Sequence, residues 1–101
     1  MVSDSEFDAT GVRIERWPRS LTRAGQVVVR DGRLTLLTSY GREIDSAPVD
    51  RVKVKNPWYT PGDQATAAMN GNRYLLRLRS PEGLLRAVRS ARSRRRAGDR
   101  G

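Results

Sequence analysis

Residues 26–44 read QVVVRDGRLTLLTSYGREI, and their pattern decides the fold class. Asp31-Gly32 lies between two apolar runs. Asp-Gly is a strong two-residue hairpin signal, because a type I′ turn needs positive φ at both central positions. In that register Val29 faces Leu34 and Val27 faces Leu36, so four apolar side chains share one face. Val28 and Thr35, then Arg30 and Arg33, share the other. The next turn follows from the same test. A two-residue loop at Tyr40-Gly41 would set Leu36 against Asp45. A three-residue loop, Ser39-Tyr40-Gly41, sets Leu36 against Ile44 and continues the apolar face, with Gly41 in the left-handed position. The second register is expected.

The flanking sequence extends the pattern. Residues 1–10 carry Asp4, Glu6 and Asp8 with little apolar content besides Val2 and Phe7, and read as a flexible acidic leader. Residues 11–17 alternate Val12 and Ile14 with charge and form a first strand, ended by Pro18. Residues 19–25 read as a polar loop, and residues 42–46 as a fourth strand. In residues 51–55, Val52 and Val54 point inward while Arg51, Lys53 and Lys55 point outward, which suits an edge strand. Residues 64–69 fit either a short helical turn or an irregular strand. Asn70-Gly71-Asn72 is a turn cluster. Residues 73–79 place Tyr74, Leu76 and Leu78 on one face.

Ser80-Pro81-Glu82 is a helix start: Ser as cap, Pro at the first helical position, Glu where the helix dipole favours an acid. Leu84, Leu85, Val88 and Ala91 recur at helical spacing. This helix is expected to fray at Arg94–Arg96 and stop before Gly98. The organisation is then a leader over 1–10, a domain over 11–93 and a basic, disordered tail over 94–101. The fold class is mainly β (α+β): a small antiparallel bent sheet or barrel of six to seven strands, capped by one C-terminal amphipathic helix.

Composition narrows the chemistry. The 101 residues include no Cys and no His. Thiolate nucleophiles, disulfides and imidazole bases or ligands are therefore excluded. Asp45, Asp50 and Asp63 have no motif spacing, and glycine spacing fits no phosphate-binding loop. No cofactor, metal site, small-molecule substrate or enzymatic activity is expected. No apolar run approaches the roughly 18 residues of a membrane span, and the acidic start is unlike a signal peptide. A soluble, cytoplasmic protein is expected, with the inner face of the membrane within its reach.

Net charge is +9, and nearly all of it lies near the end. Residues 1–72 hold 10 basic and 9 acidic residues, while residues 73–101 hold 10 and 2. Only Lys53 and Lys55 are lysines among the 20 cations. The arginine-rich end (Arg86, Arg89, Arg92, Arg94, Arg95, Arg96 and Arg100) is the leading site. It reads either as a solvated helix face or as a surface for an anionic partner: an acidic protein, an anionic membrane lipid, or nucleic acid. Trp58 and Tyr59, between Pro57 and Pro61, form a second candidate. They serve either as loop contacts for a partner or as a seal over an open barrel end.

A meander followed by a single closing helix resembles the pleckstrin-homology-like superfamily, the group that includes the lipid-binding domains of that name and the GRAM domains, in its bacterial type. The resemblance rests on the DGRLTLL hairpin, the REIDSAPVDRVKV segment and the NRYLLRL strand leading into the helix, and spans residues 11–96. It implies a strongly bent barrel plugged by the last helix, and an interaction or adaptor role. Two features depart from the family. The first loop offers Arg16, Arg19, Arg23 and Arg30 without the close basic spacing of phosphoinositide binders, and the helix lacks the tryptophan of eukaryotic members.

Overall fold

In the computed structural model the backbone is described over residues 5–16, 19–56 and 62–100, and side chains over 7–16, 19–56 and 62–94. Seven strands form one antiparallel sheet: β1 (Ser5–Arg16), β2 (Arg19–Arg30), β3 (Arg33–Leu37), β4 (Glu43–Pro48), β5 (Lys53–Lys55), β6 (Gln64–Met69) and β7 (Asn72–Arg77). A 3-10 turn, Val49–Arg51, links β4 to β5, and one helix, α1 (Pro81–Arg100), follows β7. The spatial order is β4-β3-β2-β1-β7-β6-β5, so β1 joins the two halves.

The central hairpin has the register read from its sequence, with Val29 opposite Leu34 and Val27 opposite Leu36. Asp31 and Gly32 both have positive φ, 54° and 75°. Asn70 and Gly71 turn the β6–β7 hairpin in the same way, at 52° and 79°. All four hairpin valines and leucines are fully buried. Around them pack Val12, Ile14, Ala65, Ala67, Leu76 and, from the helix, Leu84, Val88 and Ala91. Ser80 caps α1, its Oγ accepting from the Gly83 N–H at 3.2 Å.

Several expectations are corrected. β1 begins at Ser5, so most of the leader expected over 1–10 is strand: Phe7 pairs with Val29 and Ala9 with Val27. Both side chains pack partly buried against the core, which is what orders the segment. Residues 19–25, expected as a loop, are the first half of a 12-residue β2. Polar composition hid them because this half of the strand has little core to cover. At Gly25 a Cβ would stand 2.5 Å from the Leu37 carbonyl oxygen, so two backbones approach where no side chain fits.

The turn after β3 is a three-residue loop as expected, closed by the Thr38 N–H to the Arg42 carbonyl at 2.8 Å, with Gly41 at φ 83°. The expected partner of Leu36 is wrong. A bulge at Ile44 shifts the register, and Leu36 faces Asp45. An acid on the core-facing side is tolerated because it has partners there. The Asp45 carboxylate accepts from the Tyr74 hydroxyl at 2.7 Å and from the Asn70 amide at 2.6 Å. These bonds tie β4 to β6–β7 and hold the sheet in its curl.

Residues 49–51 form a 3-10 turn, so β5 is shorter than the strand expected over 51–55. Residues 64–69 are a strand, with Ala65, Ala67 and Met69 buried. The helix continues through Gly98 to Arg100, where a disordered tail from residue 94 was expected. Arginine and alanine propagate a helix well, and one glycine costs only about 1 kcal/mol.

Candidate functional site

Among the described residues, the sequence-predicted arginines do not form one cluster. Arg86 and Arg89 are exposed and border a groove with Asn56, Glu82 and Leu85, beside the end of β5. Arg92 is turned inward. Its Nε donates to the Val49 carbonyl at 2.8 Å, and a second guanidinium N–H donates to the Val52 carbonyl. The expectation that Arg92 serves a partner directly is corrected to this extent: its donors clamp the 3-10 turn to the helix. The reason is local. A 3-10 turn leaves carbonyls without ladder partners, and one planar guanidinium meets two of them. Arg94 is exposed. The side chains of Arg95, Arg96 and Arg100, and all of Trp58 and Tyr59, lie outside the described residues.

The clamp has a consequence for charge. By holding Val49–Arg51 it fixes where Arg51 and Lys53 emerge, and these border one recess with Arg92, Val52 and Asp50. The same Arg51 and Lys53 border a second recess with Arg73 and the Asn70-Gly71 turn. Cations far apart in sequence thus make a continuous belt, Arg73–Lys53–Arg51–Arg92, around the β5 edge. Sequence reading pointed Arg51 and Lys53 outward but did not join them to Arg73. That required the β5–β6–β7 register, and residues 64–69 had no settled conformation.

The polar cluster at Asp45 is closed. Burial pushes the Asp45 carboxyl up, but hydrogen bonds from Tyr74, Asn70 and the Ser46 N–H outweigh it and bring it below its ordinary value. Burial, then the hydrogen bond to Asp45, pushes the Tyr74 hydroxyl up to about 12. Tyr74 is only 2 % exposed and Asp45 is half-buried with its carboxylate held by Tyr74 and Asn70, so this pair acts as a clasp. A larger recess, about 680 Å³, opens between the first half of β1 and the β7–α1 connection. Its charges alternate in sign, Asp8 and Asp63 against Arg77 and Arg79, so it does not continue the belt. No group of three or more potential metal ligands occurs among the described residues. No helix among them is long and apolar enough to cross a membrane.

No protein-family model matches the chain, and no curated protein sequence matches it. In fold it is similar to part of Vav1, a protein containing a pleckstrin-homology domain, in a structure with an allosteric inhibitor that blocks GEF activity. The TM-score is 0.63 at 11 % identity, over 88 % of this chain and 18 % of that one. At that identity the likeness concerns the fold alone.

Proposed function

We propose that this chain is a non-enzymatic interaction module, pleckstrin-homology-like in fold, that docks an acidic protein or an anionic membrane surface through basic residues. The carrying observation is the belt from Arg73 through Lys53 and Arg51 to Arg92. Bringing like charges together costs free energy, and a counter-charged partner offsets that cost. The likeness to part of a protein with a pleckstrin-homology domain supports an interaction role. The closed Asp45–Tyr74 pair and a sequence without His or Cys favour binding over catalysis. Docking takes place in the cytoplasm or at the inner face of the membrane.

The test is binding at low and high salt to anionic vesicles, neutral vesicles, an acidic protein and a nucleic-acid duplex. Near an anionic bilayer each basic residue is worth about 1 kcal/mol, so vesicle binding should fall steeply with salt. Retention of anionic vesicles or acidic protein supports the reading. Retention of the duplex alone would replace it with nucleic-acid binding, and retention of none would end it.

A further inference from the structure

The outer face of β5–β6–β7 has a form that the belt alone does not convey. Cross-strand partners put Lys53, Ala68 and Arg73 in one row and Lys55, Thr66 and Leu75 in the next. Gln64 and Arg77 follow in a third. The middle strand therefore presents Gln64, Thr66 and Ala68, while its neighbours carry long cations. The result is a trough. Its floor is small or polar, one wall is Lys53 and Lys55, and the other is Arg73 and Arg77 with Leu75 between them. The walls stand two strand spacings apart, roughly 10 Å.

The four wall cations have no ion pair or side-chain hydrogen bond with another described residue. Arg77 also sits directly opposite Arg13 on β1, an unfavourable like-charge pairing. Glu15, 3.8 Å from Arg13, moderates it on one side, and Asp63 borders the same recess as Arg77 on the other. An anion lying over β6 would relieve this repulsion.

We infer that the trough takes an extended acidic peptide segment, a deduction that rests on the proposed docking function and specifies its partner. The geometry is commensurate. Cations two residues apart on β5 repeat at about 6.7 Å, which is also the repeat of alternate side chains in an extended peptide. A strand laid on edge over β6 sends alternate carboxylates to the lysine wall and to the arginine wall. Its backbone amides then meet the Thr66 hydroxyl and the Gln64 amide on the floor. Arginine pairs with carboxylate through two parallel hydrogen bonds. A phosphodiester strand fits less well, because its charge runs along one line and its bases need aromatic platforms. The face has none among its described residues: its outward positions are Lys53, Lys55, Gln64, Thr66, Ala68, Arg73, Leu75 and Arg77.

The test is fluorescence anisotropy of the full chain with a labelled oligoglutamate peptide, whose successive carboxylates alternate between the two walls. The probes beside it are the Gln-for-Glu peptide, oligodeoxythymidine and anionic vesicles. The acidic peptide should bind, the Gln version should not, and K53E with R73E should weaken binding by roughly tenfold or more. R86E with R89E should change it by less than about threefold. All four positions are exposed, and circular dichroism checks that each variant folds. Peptide binding that survives K53E/R73E, or is lost only with R86E/R89E, overturns the trough and leaves the docking role standing. Tighter binding of oligodeoxythymidine than of the peptide overturns it too. If no anionic probe binds, the docking function itself falls.

Discussion

The two halves of the sheet share one core but treat their outer faces in opposite ways. Outside β1–β4, polar side chains satisfy one another. Gln26 donates to Asp8 at 2.7 Å, Thr35 and Ser46 meet at 3.1 Å, and Arg33 donates to Ser46 at 3.2 Å. Outside β5–β7, four cations face solvent around a floor of small and polar residues. One directly opposed arginine pair lies inside the first half and another spans the seam between the halves. Arg30 and Arg33 flank a hairpin turn, where side chains splay into water. Arg13 and Arg77 face each other between paired strands, away from any turn. The difference teaches that a basic composition is not uniform in meaning. One half spends its polar groups on itself, and the other leaves them for a partner.

That division can be broken by measurement. The largest effect should come from L34A, which empties a fully buried position in the self-satisfied half. It should cost about 2–5 kcal/mol by urea unfolding, and a loss under 1 kcal/mol would mean the hairpin is not the stability centre. R92A removes two charge-assisted bonds to backbone carbonyls and should cost about 1.5–3 kcal/mol. It should also weaken anionic-partner binding, since the turn carrying Arg51 loosens. Unfolding and binding that both stay at the parent values would break the link between clamp and belt.

The clasp joining the halves gives a pH signature. The Tyr74 pKa is raised from 10.0 to about 12, so its contribution is complete below pH 10 and is lost as pH rises through about 12. The Asp45 pKa is lowered from 3.8, so its contribution is present above that value and is lost as pH falls below it. Thermal unfolding followed from pH 9 to 12 should decline more steeply for the parent than for Y74F, and parallel curves would remove the clasp. The smallest effect belongs to the cationic half. K53A with R73A should leave stability within about 0.5 kcal/mol while lowering affinity for acidic peptide. A large destabilisation would mean that these cations serve the fold.

The sequence disclosed the central hairpin far better than the strands around it. Val27, Val29, Leu34 and Leu36 alternate around a turn with one stereochemical solution, so local rules settled their pairing. The Ile44 bulge escaped because it depends on Asp45 finding Tyr74, 29 positions along the chain. Ala65 and Ala67 escaped because small residues give little periodic signal, although they line the core. Without β6 in place, the alignment of Lys53 with Arg73 could not be seen. Arg92 looked like its neighbours on the helix, since no local pattern reveals that two carbonyls on a distant turn await it.

An open sheet has two outer borders, and both are awkward templates for another copy of the chain. The β4 border is interrupted by the Ile44 bulge and ends in Pro48, which has no amide hydrogen to share. The β5 border is three residues long, with a lysine at each end. Kinks, a missing donor and repelling charge are what discourage strand-to-strand stacking between molecules. The chain should therefore resist fibril growth in concentrated solution without closing its sheet into a ring.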